Sequence, residues 1–96
     1  MPRRHYLVTY DISDDKRRTR VFKILHDFGD HAQYSVFFCE INEQELAILK
    51  AKMNRVVNHD EDQILILDLG THTEPLERGL ECVGRTYQPP SRVTVV

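Results

Sequence analysis

Tyr6-Leu7-Val8-Thr9-Tyr10-Asp11-Ile12-Ser13-Asp14-Asp15 is the stretch on which the fold turns. Its first half is aromatic, aliphatic and β-branched, the composition of a buried strand, and it runs to Tyr10 before the polar Asp11 ends it. Ser13, Asp14 and Asp15 then offer capping oxygens and first-turn carboxylates, so a helix starts there. Val21, Ile24, Leu25 and Phe28 follow at helical spacing and form one apolar stripe. Gly29 reads as the helix stop.

The same alternation continues outward. Residues 33–41, Gln-Tyr-Ser-Val-Phe-Phe-Cys-Glu-Ile, are strand-forming, either as one bent strand or as two short ones. Asn42 with Glu45 three residues on makes a capping box. Leu46, Leu49, Met53 and Val56 give a second helical stripe. Residues 58–62 are a polar, acidic turn expected to be solvated. Residues 63–69, Gln-Ile-Leu-Ile-Leu-Asp-Leu, form a strong strand closed by Gly70. Residues 80–87 read as a weaker strand, broken by Pro89-Pro90, and residues 92–96 are a β-prone tail. The order βα, ββ, αβ, β within 96 residues is met economically by a ferredoxin-like α/β (α+β) sheet, βαββαβ, with an additional C-terminal strand. The chain is expected to be a single domain over 1–96, with residues 88–96 as a tail that pairs with a partner. Two helices cover one face of such a sheet. Yet Leu7 as well as Val8, and Phe37 as well as Phe38, are apolar, so the second face also needs cover, and a second copy of the chain is the expected cover.

Composition narrows the function classes without choosing one. Apolar residues make up 41% and charged residues 29% of the chain, and the net charge is −2, so bulk charge gives no argument for a nucleic-acid partner. The two cysteines, Cys39 and Cys82, are too few and too far apart for a disulfide scaffold and read as reduced thiols. The apolar stretch after the basic N-terminus is too short for a signal peptide, and no run approaches membrane-spanning length; the expected compartment is the cytoplasm, with no membrane partner.

Two features can carry chemistry. Asp11, at the carboxyl end of the first strand, either satisfies backbone N–H groups near the helix start or ligates a metal. Magnesium takes oxygen ligands and often only one or two protein carboxylates. One Asp per chain is a weak site, and a two-fold axis that brings two copies together makes a better one. The second feature is the basic run Lys16, Arg17, Arg18, Arg20 and Lys23, which is either a solvated helix face or a phosphate-binding patch beside that carboxylate. Asp14 and Asp15 read as helix starters. His5, His26, His31 and His72 show no zinc spacing, the acidic loop at 59–62 lacks the spacing of a calcium loop, and no catalytic triad or phosphate-cradling Gly loop is present.

Tyr10-Asp11-Ile12, then Asp14-Asp15-x-Arg17-Arg18, then Gly29, then Gln33-Tyr34-Ser35-Val36-Phe37 together resemble the CRISPR-associated protein 2 family, over nearly the whole chain. The resemblance implies a ferredoxin-like fold and a face-to-face homodimer with Asp11 of both protomers around a divalent metal, Mg2+ or Mn2+. It implies a metal-dependent endonuclease acting on RNA or double-stranded DNA, and a place in spacer acquisition with the CRISPR-associated protein 1 integrase. It implies Asp11 at the metal and at the centre of catalysis, and Arg18, Arg20, Ser35 and Phe37 in or near the active region; taken with the basic run, the expected nucleic-acid contacts are Lys16, Arg17, Arg18 and Arg20, and the expected supporting active region is Tyr10, His31, Ser35 and Phe37. His31 stands where the family often has Arg, a weaker and pH-dependent charge. The alternative is a non-catalytic dimeric adaptor that bridges integrase dimers and binds duplex DNA.

Overall fold

The structure is a computed structural model and describes residues 2–71 and 73–89. Its elements are β1 (Arg4–Asp11), α1 (Asp15–His26), β2 (Gly29–Gln33), β3 (Val36–Ile41), α2 (Glu43–Asn54) and β4 (Gln63–Gly70), followed by one 3-10 turn, Leu76–Gly79. The four strands form one antiparallel sheet in the order β2-β3-β1-β4. This is the ferredoxin-like arrangement expected from the alternation of strands and helices.

Strand alternation decides what lies on each face. Tyr6, Val8 and Tyr10 of β1 point to the helix side, as do Phe37, Cys39 and Ile41 of β3. Together with Ile12 they pack against Val21 and Leu25 of α1 and Leu49 and Met53 of α2 in one core. The helix stripes foreseen from spacing are the ones buried. Both helix starts use the expected caps: the Asp14 carboxylate accepts from the Arg17 N–H at 2.9 Å, and Asn42 and Glu45 form a reciprocal capping box.

The other face carries Leu7, which stands opposite both Phe38 and Leu67, and Thr9, which stands opposite Val36 and Leu65. Leu65 and Leu67 are more than half exposed, at 53% and 57%. On the β3 side, the ring of Tyr87 packs edge-on against Phe38, with centroids 5.9 Å apart. The second apolar face is therefore real, and in a single chain its β4 half is open to solvent.

Two local expectations are corrected, and a third, left open between one strand and two, is decided. Residues 80–87 form no strand. Gly84 turns the backbone to φ +91°, the Tyr87 N–H reaches back to Cys82 Sγ, and residues 80–86 are exposed, so no sheet edge is paired. The tail at 92–96 lies outside the described residues. Residues 33–41 resolve into two strands, with the hairpin beginning earlier, at Gly29. Gly29 itself is no helix stop: α1 is capped by Asp27, and Gly29 lies in β2 opposite Cys39. A Cβ at Gly29 would sit 2.5 Å from Cys39 Sγ and collide with the Phe38 carbonyl, so a close backbone approach, not a left-handed turn, demands glycine here. Cys39 is 1% exposed, and burial, aided by Asp30, pushes its thiol up to about 11.

Gly29→Ala is expected to destabilise the fold by about 1–3 kcal/mol through overpacking. That corresponds to a melting temperature lower by roughly 4 °C or more. Thermal unfolding followed by circular dichroism measures this, and an unchanged melting temperature would show that β2 and β3 separate at little cost.

Candidate functional site

One end of the sheet gathers most of the candidate residues. The carboxyl end of β1, the Tyr34–Ser35 turn between β2 and β3, the start of α1 and the start of β4 meet there. Tyr10 fastens the first two: its N–H donates to the Ser35 carbonyl at 3.1 Å and its hydroxyl to the Tyr34 carbonyl at 3.3 Å. Tyr10 is 6% exposed, and burial holds its hydroxyl above the usual tyrosine range, with Tyr34 adding to the effect and Arg18 opposing it. Asp11 comes next. It is exposed, stands opposite Gln63 of β4, and by alternation lies on the face of Leu7 and Thr9, away from the helices.

The basic run does not act as one patch. Arg17 is committed to the loop that precedes β4. Its Nε donates to Asp62 Oδ2 at 2.8 Å, its Nη2 to Asp62 Oδ1 at 3.2 Å and to Glu61 Oε2 at 2.9 Å, and Asp14 lies 4.0 Å away. The Asp62 side chain is fully enclosed. Its Oδ2 also accepts the Asn58 N–H at 2.8 Å. The Arg17 hydrogen bond is the main cause that holds the Asp62 carboxyl below the usual carboxylate range, and the Asn58 N–H adds to it. The acidic turn expected to be solvated is thus half structural: Asp62 is a clamp residue, because a fork of guanidinium donors satisfies both of its oxygens. Arg18 folds back on its own helix start, donating to the carbonyls of Ile12 and Ser13 at 3.2 Å each and pairing with Asp15. Lys16 and Arg20 are exposed and make no hydrogen bond or ion pair among the described residues.

The remaining candidates support this end from within. Phe37 is fully buried and contacts Tyr10, Phe22 and His31 through ring packing. The exposed His31 lays its ring 5.0 Å from both Phe22 and Phe37 and places Nε2 3.4 Å from the Tyr34 carbonyl. Ser35 contributes its backbone carbonyl to Tyr10. Two residues were missed by sequence reasoning: Asp62, and Tyr34, whose side chain is the most exposed aromatic at this end. Among the described residues no three His, Cys, Asp or Glu side chains converge as a metal site, and no helix is long and apolar enough to cross a membrane. A single Asp11 offers a divalent cation too few protein ligands.

Comparison with known proteins places this geometry. The family model described as CRISPR associated protein Cas2 matches residues 4–74. The chain belongs to the Cas2 family. A Cas2 relative from Geobacter sulfurreducens, named CRISPR-associated endoribonuclease, is 40% identical over 91 residues, 95% of each chain. One from Thermus thermophilus, named CRISPR-associated endonuclease, is 34% identical over 79 residues, 82% of this chain and 88% of its own. The crystal structure of Streptococcus pyogenes Cas2 superposes with a TM-score of 0.70 at 27% identity, covering 83% of this chain and 99% of that one. Every residue of the sheet end described above falls within the Cas2 match.

The clamp has a defined pH signature. The Asp62 carboxyl is depressed in the folded state, while an unfolded Asp titrates near 4. Its contribution to stability is therefore complete above that value and is lost as pH falls through the lower folded value. Asp62→Asn is expected to lower the melting temperature at pH 7, with the gap to the parent protein closing in acid. A gap that is constant from pH 7 to pH 2 would show that charge on Asp62 contributes nothing.

Proposed function

We propose that the chain acts in CRISPR adaptive immunity as a homodimeric, divalent-metal-dependent endonuclease in spacer acquisition, cutting phosphodiester bonds of RNA or DNA and working with the CRISPR-associated protein 1 integrase. The observation that carries this reading is the position of Asp11: an exposed carboxylate at the end of an apolar sheet face whose β4 half, Leu65 and Leu67, is uncovered in a single chain. An isologous contact over that face joins each Leu65–Leu67 patch to its counterpart and brings the two β1 ends toward one axis. The names of the relatives, endoribonuclease in one case and endonuclease in the other, support the chemistry and leave both nucleic acids as substrates.

In this reading the two Asp11 carboxylates hold a Mg2+ or Mn2+ ion, whose charge offsets their mutual repulsion. The metal, when bound, supplies a water of lowered pKa and polarises a phosphoryl oxygen. Lys16 and Arg20, exposed and unengaged among the described residues, hold the backbone phosphates by charge. Arg17 does not join them; it fixes the start of β4, and through the Gln63 pairing it steadies the strand end that presents Asp11. A second reading is the adaptor, a dimer that bridges integrase dimers and holds duplex DNA. The same exposed Lys16 and Arg20 favour it, since they make a basic surface that needs no Asp11.

Cleavage of RNA and duplex DNA by the purified chain, with magnesium, manganese or chelator, decides between the two. Asp11→Ala is expected to abolish metal-dependent cutting while the dimer remains folded; cutting retained in that variant would overturn the nuclease reading and leave the adaptor. Leu67→Glu is expected to convert the dimer to a folded monomer by light scattering and to lose cleavage with it. A Leu67→Glu protein that stays dimeric would place the contact elsewhere.

A further inference from the structure

The first turn of α1 has no apolar anchor of its own. The buried residues of the helix are Val21 and Leu25, both in its second half. Yet Lys16 and Arg20, the cations assigned above to the nucleic-acid backbone, lie in the first half. Arg18 bonds to the helix's own approach, at Ile12, Ser13 and Asp15. Arg17 ties this end to a different strand. Its Nε donates to Asp62 Oδ2 at 2.8 Å, and its Nη2 to Asp62 Oδ1 at 3.2 Å and to Glu61 Oε2 at 2.9 Å. The receiving loop is itself closed. The Asp62 side chain is enclosed and its Oδ2 also accepts the Asn58 N–H at 2.8 Å, while the Asn58 side-chain oxygen accepts from the N–H groups of Asp60 and Glu61 at 2.9 and 3.2 Å. Asp62 precedes Gln63, and Gln63 stands opposite Asp11 in the β1–β4 register. A bonded turn beside Asp11 thus holds the helix end that carries the exposed cations.

Arg17 cannot serve a substrate phosphate at the same time. Asp62, Glu61 and, at 4.0 Å, Asp14 surround its guanidinium. A phosphate that took the guanidinium would leave the Asp62 charge enclosed and unpaired, the costly case for a buried ion pair. We propose that Arg17 and Asp62 are positioning residues for cleavage, and that their clamp sets the spacing between the cations that hold the nucleic-acid backbone, Lys16 and Arg20, and the Asp11 carboxylate at which that backbone is cut. The inference rests on the nuclease reading above and adds to it a part that never touches substrate. Chain connectivity does not set this spacing. Residues 12–14 join β1 to α1, and although Ile12 is buried, such a link fixes where the helix begins and not which way its first turn faces. The clamp removes that freedom, because it fastens the first turn to the strand that lies beside β1. A misplacement of about 1 Å can cost on the order of 100-fold in rate, and the grip on the backbone need not change with it.

The test separates grip from rate. Grip is read by fluorescence anisotropy with labelled RNA and labelled duplex DNA, in chelator, over a series of salt concentrations. Rate is read by single-turnover cleavage of whichever of the two the parent protein cuts, with magnesium or manganese and protein in excess. Arg17→Ala and Asp62→Asn are each expected to bind within about twofold of the parent, with the same salt slope, and to cut about 10-fold or more slowly. The double variant is expected to cut no more slowly than the slower single, because both substitutions break one device. Lys16→Ala shows what loss of a phosphate contact looks like: weaker binding, and a salt slope shallower by about 0.7–0.9. A slope that becomes shallower in Arg17→Ala as well would make Arg17 a phosphate contact and overturn the assignment. So would cutting by Arg17→Ala within twofold of the parent, or losses that add in the double variant. Should Arg17→Ala not fold, Arg17→Lys keeps the charge without the fork; it is expected to bind like the parent and cut about 10-fold more slowly, and parent-like cutting by it would overturn the assignment. A parent protein that cuts neither substrate would overturn the nuclease reading itself, a result read without any variant. Assays are run at a temperature where thermal melts show the parent and each variant folded, so that unfolding does not imitate a loss of rate.

Discussion

The fold depends on β1, which is held by hydrogen bonds on both edges. It is the central strand, paired with β3 on one side and β4 on the other, and its inward side chains Tyr6, Val8 and Tyr10 form the floor on which both helices rest. Burying a side chain such as Val8, which is fully enclosed, contributes about 1.5–3 kcal/mol. That burial fixes register, because a slip of one residue would carry Val8 to the open face and Leu7 into the core. The same constraint fixes chemistry. If Tyr10 must face the helices, Asp11 must face away from them, at the rim of the open apolar face.

The basic segment after β1 divides by the same logic of neighbours. Arg17 and Arg18 lie near carboxylates and carbonyls at the start of α1 and are taken up by them, while Lys16 and Arg20 project outward. Sequence proximity to Asp11 did not make the run a single functional unit. One guanidinium closes the distance between α1 and the loop before β4, across 45 positions of chain. The sheet end that presents Asp11 is rigid in part because that charge faces inward, toward Asp62.

Much of the fold was legible because it rests on local signals. Both helix caps, both helical stripes and the strands at β1 and β4 follow from spacing and residue type alone. The β2–β3 hairpin was blurred for a physical reason. No non-glycine among the described residues has a positive φ, and the turn closes instead with a register shift between His31 and Gln33, so no Asn-Gly or Asp-Gly pair marks it. Gly29 carried a real signal that was assigned the wrong cause, since a crowded strand crossing and a helix stop both select glycine. The segment at 80–87 has strand-like composition without a strand to pair with, and composition cannot report the absence of a partner edge. At the site, Asp11 and the exposed cations were visible in the sequence. The Arg17–Asp62 clamp was not, because ion pairs between distant segments leave no periodic trace.

Cys39 gives the molecule a built-in gauge of its own breathing. It stands in β3 between β1 and β2, opposite Tyr6 on one side and Gly29 on the other. Thiol reagents attack the thiolate, and Cys39 is both shut away from solvent and shifted to about 11, whereas Cys82 is exposed. Modification of Cys82 therefore proceeds on the intact protein, while modification of Cys39 waits for the hairpin to lift from the centre of the sheet. The ratio of the two labelling rates measures how often the strand that anchors the site end comes loose, without any mutation.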